Sequence, residues 1–494
     1  MRGREAVMKH SLLRKLLWAL ILLLVSHAAA DTGVLPTGQP EYEFIYDRLE
    51  HLEALSHDRF DYQLGPYDMD HVQNQLGPFS SLHTASTAEL TLFGVGAERM
   101  AAKRYLRPER FASFRGGVAG RPLQKLFVYG SFVVDEALAE DVNYSGKKWR
   151  GFAGDVQDAF VYFSSGRFDL TVGRFAAFWG PRNSLVMSPE QRLDGLCYSF
   201  RWGRLVLSYR LARLDGLSPE EDSVEQFENR FFAAHRLDFH FNDRLRAGLF
   251  ETVLFGGPGR QIDLFYLNPL IFFHGSQVNE GINDNTTVGF DFSYKPALGY
   301  KVYGQMLIDD YQIDNEAQSD QEPAEIAFTL GGYAADLLNF IDVRLEYQHV
   351  SNRTFNQVFA RNRYVYNNRP IGAVLGNDYD LTSFSVIRWL RPQTSLTLGF
   401  AYHRQGEGRI ISEWTEPWSL VEGDYDEPFP TGVVEKTSTI SLSVKSFIKD
   451  CLFVRAECGA DWITNADHLD GQDRTVLFAR LAVSGFLLTT MGLE

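Results

Sequence analysis

Alternation with a period of two dominates the chain from about residue 86 onward, and the hairpin from Arg230 to Phe255 shows it most plainly. Phe231, Ala233, Leu237, Phe239 and Phe241 fall on one side of the first arm, with Ala234, Arg236, Asp238, His240 and Asn242 on the other. Asn242-Asp243 makes the turn, and Leu245, Ala247 and Leu249 then face away from Arg244 and Arg246. Successive side chains of a strand point to opposite faces, so one face is apolar and the other carries full charges. The same register recurs at Leu205–Leu211, Val288–Tyr294, Ile341–Tyr347, Leu396–Tyr402 and Ile440–Val444. His235 and Glu251 break the rule, because both fall on the apolar side.

The connections between strands alternate in length. Short turns are expected near 119–122, 164–166, 202–203, 242–243, 295–299, 335–338, 390–392 and 447–450. Long, polar, aromatic-rich segments lie between them, near 98–107, 137–154, 177–193, 214–229, 255–283, 311–323, 351–378, 405–433 and 463–473. Eight short and nine long connections give 18 strands with every long loop at one end. That is the signature of an even-stranded antiparallel β-barrel in an outer membrane, with short periplasmic turns, long external loops and both chain ends in the periplasm. A sandwich or propeller has no reason to segregate its loops in this way. The expected fold is therefore an all-β transmembrane barrel over residues 86–486, with a tail at 487–494 beyond the aromatic residue Phe486.

The N-terminus supports export. Basic residues Arg2, Arg4, Lys9, Arg14 and Lys15 precede the apolar run Leu16–Val25, and Ala28-Ala29-Ala30 ends the segment before Asp31. Residues 1–30 thus read as a cleaved secretory signal, since the apolar run is too short for a spanning helix of about 20 residues. Within 31–85, Tyr42, Ile45, Leu49, Leu52 and Leu55 recur at helical spacing, and Met69, Val72 and Leu76 suggest a second short helix. Such a pair is too small for its own core and is expected to dock, plug-like, on the barrel from the periplasmic side.

The formal net charge is −15, and five basic residues against one acidic residue in the signal bring the chain from Asp31 onward to −19. Nucleic acid is excluded as a partner by that sign. Cys197, Cys451 and Cys458 make no disulfide framework, the last two lying seven residues apart on one expected strand and so on opposite faces. No zinc pattern, phosphate loop or nucleophile elbow occurs, so no cofactor is implied. Asp467, Asp470, Gly471 and Asp473 lack the alternating ligands and terminal Glu of a calcium loop.

Two residues conflict with a lipid-facing position. Phe168, Leu170 and Val172 place Arg174 on the outside, where a midplane charge costs about 2–4 kcal/mol, and a bulge at Gly173 would turn it inward. Glu251 is expected to escape in the same way or to lie near the outer interface.

Several motifs carry a family resemblance. Gly173-Arg174 is followed by Phe178-Trp179-Gly180-Pro181, Ser184-Leu185 and Ser188. Then come Phe231 to Leu237, Gly256-Gly257, Tyr266-Leu267-Asn268-Pro269, His274, Glu280 and Asp284-Asn285. Gly304-Gln305, Asp309-Asp310, Arg369-Pro370-Ile371-Gly372 and Leu375-Gly376-Asn377-Asp378 close the series. In this order, over residues 40 to 486, they resemble the capsule-assembly (Wzi-like) outer-membrane family. Ala373-Val374 stand where His-Pro is usual, and Asn377 where Pro is common. The resemblance implies an 18-stranded barrel with a periplasmic helical plug that acts as a lectin for capsular or exopolysaccharide. Its expected surroundings are outer-membrane lipid and the barrel-assembly machinery.

Three loop clusters are candidates for glycan contact. Trp179, Arg182 and Asn183 can stack on a sugar ring and hydrogen-bond its hydroxyls, or else form an interfacial girdle Trp beside an Arg pinned to inner carboxylates. Tyr266, Asn268, His274, Glu280, Asp284 and Asn285 can face a glycan if their loop folds into the lumen, or can simply order that loop. Trp414 and Trp418 lie in an acidic segment with Glu413, Glu422, Asp424, Tyr425, Asp426 and Glu427, which suits carbohydrate, with calcium bridging an acidic sugar, or plain solvation. His274 and Glu280 lack a nucleophile or third group, which leaves a binding protein as the main expectation, a channel as its rival and a hydrolase third.

Overall fold

The computed structural model describes residues 40–56, 64–65, 89–103, 109–123, 125–181, 183–217, 228–281, 283–311, 321–421, 425–448 and 451–492. The expected signal peptide and the second short helix lie outside the described residues, as does Arg182.

Among the described residues, eighteen long strands close into one barrel, each antiparallel to its neighbours. In chain order they are β1 (Glu89–Lys103), β2 (Glu109–Leu123), β3 (Leu126–Asp135), β4 (Phe152–Ser164), β5 (Phe168–Ala176) and β6 (Arg192–Trp202). There follow β7 (Leu205–Arg213), β8 (Glu228–His240), β9 (Leu245–Pro258), β10 (Asn285–Tyr294), β11 (Tyr300–Asp310) and β12 (Glu325–Leu337). The last six are β13 (Ile341–Val350), β14 (Tyr379–Arg391), β15 (Thr394–Gln405), β16 (Glu435–Ile448), β17 (Leu452–Thr464) and β18 (Arg474–Gly492). The β1–β18 pairing closes the ring, from Glu89 opposite Gly492 to Lys103 opposite Phe478. No strand edge is left for lipid to meet.

After the first connection, long and short alternate as the sequence pattern requires; the expected long loop at 98–107 is corrected, because Glu98 to Lys103 belong to β1, paired with β18, and β2 begins at Glu109. Two short turns sit further along than expected, after Leu123 and at 338–340, because β2 and β12 continue through Gly120-Arg121-Pro122 and Ala335-Asp336. The expected tail is also corrected: Leu487 to Gly492 belong to β18, since Glu89 to Gly94 of β1 pair with them. Cys451 lies in the turn before β17 rather than on it, and all three cysteines are free.

The two faces have inverted polarity relative to a soluble protein. Leu237, Phe239, Leu249, Phe290, Leu330, Leu345, Phe384 and Phe400 point outward and are exposed, whereas Arg236, Asp238, Asp291 and Asp342 point inward and are fully buried. Only lipid makes that arrangement favourable, because an apolar side chain gains from leaving water whichever side of the wall it is on. Inside, the Arg236 guanidinium lies against Asp238 and Asp291 at 2.5–2.8 Å, and Arg246 reaches Asp291 at 2.9 Å. Buried charge is tolerable here because each carboxylate meets guanidinium donors with matched fork geometry.

Helix α1 (Pro40–Leu55) lies within the lumen at the short-turn end. Its carboxylates face a basic wall: Glu53 meets Lys295 and Lys301, Glu50 meets Arg344 and Lys301, Asp47 meets Lys445 and Glu43 meets Arg455. Its apolar face is held by Phe44, which packs edge-on to Trp389 and Phe447. These partners lie on β11, β13, β14, β16 and β17 and in the turn after β10, so α1 spans between well-separated parts of the wall.

Candidate functional site

Two long loops enter the barrel from the other end, and one of them meets α1. The loop 177–191 begins with Phe178-Trp179, which pairs as a two-residue ribbon with Leu64-Gly65, and Tyr46 of α1 packs edge-on to Phe178 at 5.8 Å. Gly180, at φ +102°, permits the sharp turn, and a Cβ there would come within 2.2 Å of the Gln305 amide. Gln305 uses both ends of that amide, accepting from the Leu185 N–H and donating to the Trp179 carbonyl, each at 2.8 Å.

The second intruder is the loop 351–378. Ala373 donates to the Ser184 carbonyl, Ser188 to the Ile371 carbonyl, and the Tyr364 hydroxyl to the Val186 carbonyl. Gly372 sits so close to Leu185 that a Cβ would fall 2.0 Å from its carbonyl oxygen. Together these segments build an apolar cluster inside the barrel, with Trp179, Leu185, Val186, Phe355, Tyr364 and Ile371 packed on Phe232, Phe250 and Leu307 of the wall. An apolar column thus crosses the lumen from α1 to the loops.

Trp179 is therefore not where either sequence reading puts it. At 2 % exposure inside the cluster it offers no ring face to a sugar and takes no part in an outer girdle. Asn183 is exposed beside it, donating to Glu346 at 2.5 Å while its carbonyl accepts from Gln348 at 2.8 Å.

The loop 259–284 does not fold into the lumen, the condition for its glycan reading. This loop lies on the outer wall, where Tyr266 and Phe273 pack on the outward faces of Tyr209, Phe231, Val253 and Phe255. Tyr266 is buried, and its hydroxyl donates to Asp284, which also holds Arg260. His274 bonds Thr286, and Asn268 caps the Leu270 N–H. Asn285 points inward, to the Asn362 carbonyl. Tyr266, Asn268, His274, Asp284 and Asn285 are thus split by the barrel wall and form no common site; Glu280 ends helix α3 (Phe273–Glu280), α2 being the short helix Glu136–Glu140.

The two anomalies on the outer face are resolved without bulges. Arg174 keeps its outward register opposite Asp194 and binds it in a fork, at 2.8 and 2.6 Å, with Asp155 at 3.6 Å. Gly173 serves a different need: at φ +133° its missing Cβ would sit 2.1 Å from the Ala159 carbonyl. Glu251 likewise stays outward, opposite His235, beneath the loop that covers it.

At the outer mouth, the third cluster does assemble. The Arg353 guanidinium lies over both indoles, 5.2 Å from Trp414 and 4.6 Å from Trp418, and donates to the Thr415 carbonyl and Glu427. Trp418 is 3 % exposed and anchors the loop, whereas Trp414 is half-buried. Asp378 ties the same loop down, accepting from the Thr431 and Gly408 N–H groups, and burial pushes its carboxyl up despite them. Arg353 escaped sequence reasoning because nothing local links it to residues sixty positions on. A second exposed group, Trp149 with Lys147, Lys148 and Arg150, was also missed, although it is a cationic-aromatic run in an acidic chain. Asp141 holds that loop to the crossing one by pairing with Arg369, and although partial burial opposes it, the Asn143 N–H and Arg369 hold its carboxyl below the usual range.

The model of the capsule assembly protein Wzi family matches residues 198–477, more than half of the chain. The chain belongs to that family. Among solved structures it is similar to Wzi of Escherichia coli, a carbohydrate-binding β-barrel of the outer membrane involved in group 1 capsule assembly, at 14 % identity and a TM-score of 0.60, over 92 % of this chain and 99 % of that one. It also matches OccD3 of Pseudomonas aeruginosa at 10 % identity and a TM-score of 0.47, over 82 % and 92 %. The vanillate-bound OpdK of that organism matches at 11 % and 0.46, over 81 % and 99 %. A comparison with curated protein sequences finds no match. As a Wzi-family barrel, the chain is an outer-membrane protein that crosses with strands. Its family motifs are largely joints: Gly180, Leu185, Gln305, Ile371 and Gly372 all serve the loop column.

Proposed function

We infer that this Wzi-family barrel binds a surface polysaccharide at its outer mouth and holds it to the cell without cleaving it. The observation that supports this reading is the apolar column: α1 and the loops 177–191 and 351–378 enter the lumen from opposite ends and pack along its β6–β14 side, which points to the external loop surface as the place for a ligand. There the half-buried Trp414 can stack on a sugar ring, the exposed Asn183 can bond hydroxyls, and Trp149 with Lys147, Lys148 and Arg150 can meet acidic units. Each contact is weak, and repeated units along one polymer accumulate them by avidity. No calcium bridge is needed for this scheme.

Pull-down of capsular or extracellular polysaccharide with the purified protein tests it, together with a gene deletion. Retention of polymer by the protein and release of polymer into the medium by the deletion strain are expected. Unchanged cell-bound polymer, or a stable unit conductance in planar bilayers, would overturn it in favour of a channel.

A further inference from the structure

The loop 259–284 lies against lipid-facing wall, and the height of that wall decides what covers the loop. The apolar band of an outer-membrane barrel is about 25 Å tall on strands tilted by about 40°. On β8 the outward residues left uncovered are Leu237, Phe239 and Phe241, a rise of four residues or about 10 Å of height. Extending the count up to Phe231 restores about 26 Å. In that upper part Phe231 and Ala233 are buried under the loop and His235 is partly covered, against Phe273, rather than open. β9 behaves alike, with Leu249 at 66 % exposure and Glu251, Val253 and Phe255 covered above it.

The covering loop presents an apolar surface of its own in exchange. Leu264 and Leu270 are 80 % and 83 % exposed, and Phe272 is 59 % exposed, while Tyr266 and Phe273 between them face the wall. Irregular backbone is excluded from hydrocarbon unless its polar groups are satisfied within the protein. Here seven amides of the segment and its anchor are satisfied in this way. The Phe265 and Leu270 amides donate to Asp263 and Asn268, and those of Leu267, Asn268 and Ile271 to the carbonyls three residues back. Glu251 takes the Phe273 and His274 amides at 2.8 and 2.6 Å, and the Tyr209 hydroxyl serves the Tyr266 carbonyl.

We propose that residues 262–273 form a lipid-side flap that completes the apolar band on β8 and β9, with Leu264, Leu270 and Phe272 seated among the acyl chains of the outer leaflet. The occupant is lipid because the flap is continuous with the lipid-facing wall beneath it and stands where that wall alone is too short. The assignment is independent of what the mouth binds.

The test uses the full chain reconstituted in bilayers whose acyl chains carry a photoactivatable diazirine, with adducts mapped by mass spectrometry. Adducts on 262–273 within roughly threefold of those on 245–250 are expected, with the external loop at 142–150 at background. As a second readout, nitroxides on Leu270→Cys and Phe272→Cys, in a background with Cys197, Cys451 and Cys458 replaced by Ala, should meet oxygen as Leu249→Cys does and exclude a nickel chelate. Labels that behave like Val142→Cys would place the flap in water and overturn the proposal. So would spin–spin broadening between protomers, which would assign the patch to a second copy of the chain.

Discussion

His235 and Glu251 oppose each other on β8 and β9, both outward, with Nε2 and Oε2 3.1 Å apart. Neither has to avoid the apolar face, because the loop after β9 is latched over them. The Glu251 carboxylate accepts the first two amides of α3, donors that a helix leaves without an internal partner. Phe273 closes the other side, its ring 4.3 Å from that of His235.

Replacing Glu251 with Leu should therefore release the flap while leaving the barrel closed. Two hydrogen bonds to a buried charged acceptor are worth about 2–3 kcal/mol of local stability, or roughly a 30- to 150-fold loss of exchange protection. Hydrogen exchange at the Phe273 and His274 amides measures it, with heat-modifiable migration reporting the barrel. Protection unchanged in Glu251→Leu would mean that apolar packing alone holds the flap.

The lumenal network around Arg236 gives a harsher result. Arg236→Met leaves Asp238 and Asp291, at zero exposure, to share the Arg246 cation, with a long Gln305 contact to Asp291 besides, so a cost of about 3–5 kcal/mol is expected. Adding Asp238→Asn should recover part of it by removing one of the two charges. Denaturant unfolding of the refolded barrel reads both variants, and an additive double mutant would break the argument.

How much of this was legible follows from what sets each feature. Strand count and loop polarity were readable because a closed wall between lipid and a polar lumen imposes a period of two on every strand, as at Phe231 to Phe241. The helical stripe from Tyr42 to Leu55 likewise gave α1. Loop positions were not readable. Tyr266 and Asn285 lie nineteen positions apart in one segment, yet the wall separates them, and only the apolar patch left by Tyr209, Phe231 and Phe255 decides which side takes the loop. Trp179 was misplaced for a related reason: its burial depends on Leu185, Tyr364 and Phe232, distant in sequence.

The docking of α1 is electrostatic as well as apolar, which makes it separable from barrel formation. Lys301 is buried between Glu50 and Glu53, its Nζ 3.1 Å from Glu53. Lys301→Met leaves Glu53 with only the longer Lys295 contact at 3.6 Å, so α1 should undock before the barrel opens, by roughly 3 kcal/mol if the pair behaves as a buried one. Limited proteolysis between residues 40 and 56 should accelerate in Lys301→Met at unchanged barrel mobility. Planar-bilayer recording adds a second reading, since the loop column would remain and conductance should stay absent.

The two tryptophans of the outer loop should respond differently, and the difference separates binding from folding. Trp418 is buried against Arg353 and Tyr425, so Trp418→Ala opens a cavity worth about 3–5 kcal/mol and unravels the loop that Asp378 also pins. Trp414 keeps part of its ring open, so Trp414→Ala should leave the loop's exchange protection nearly intact. It should nonetheless weaken polysaccharide retention several-fold, as loss of one stacking contact per repeat does when contacts add along a polymer. Pull-down with each variant, beside hydrogen exchange over residues 406–434, measures both quantities. Equal retention by Trp414→Ala and the wild type would move the sugar contact away from this loop and toward Trp149.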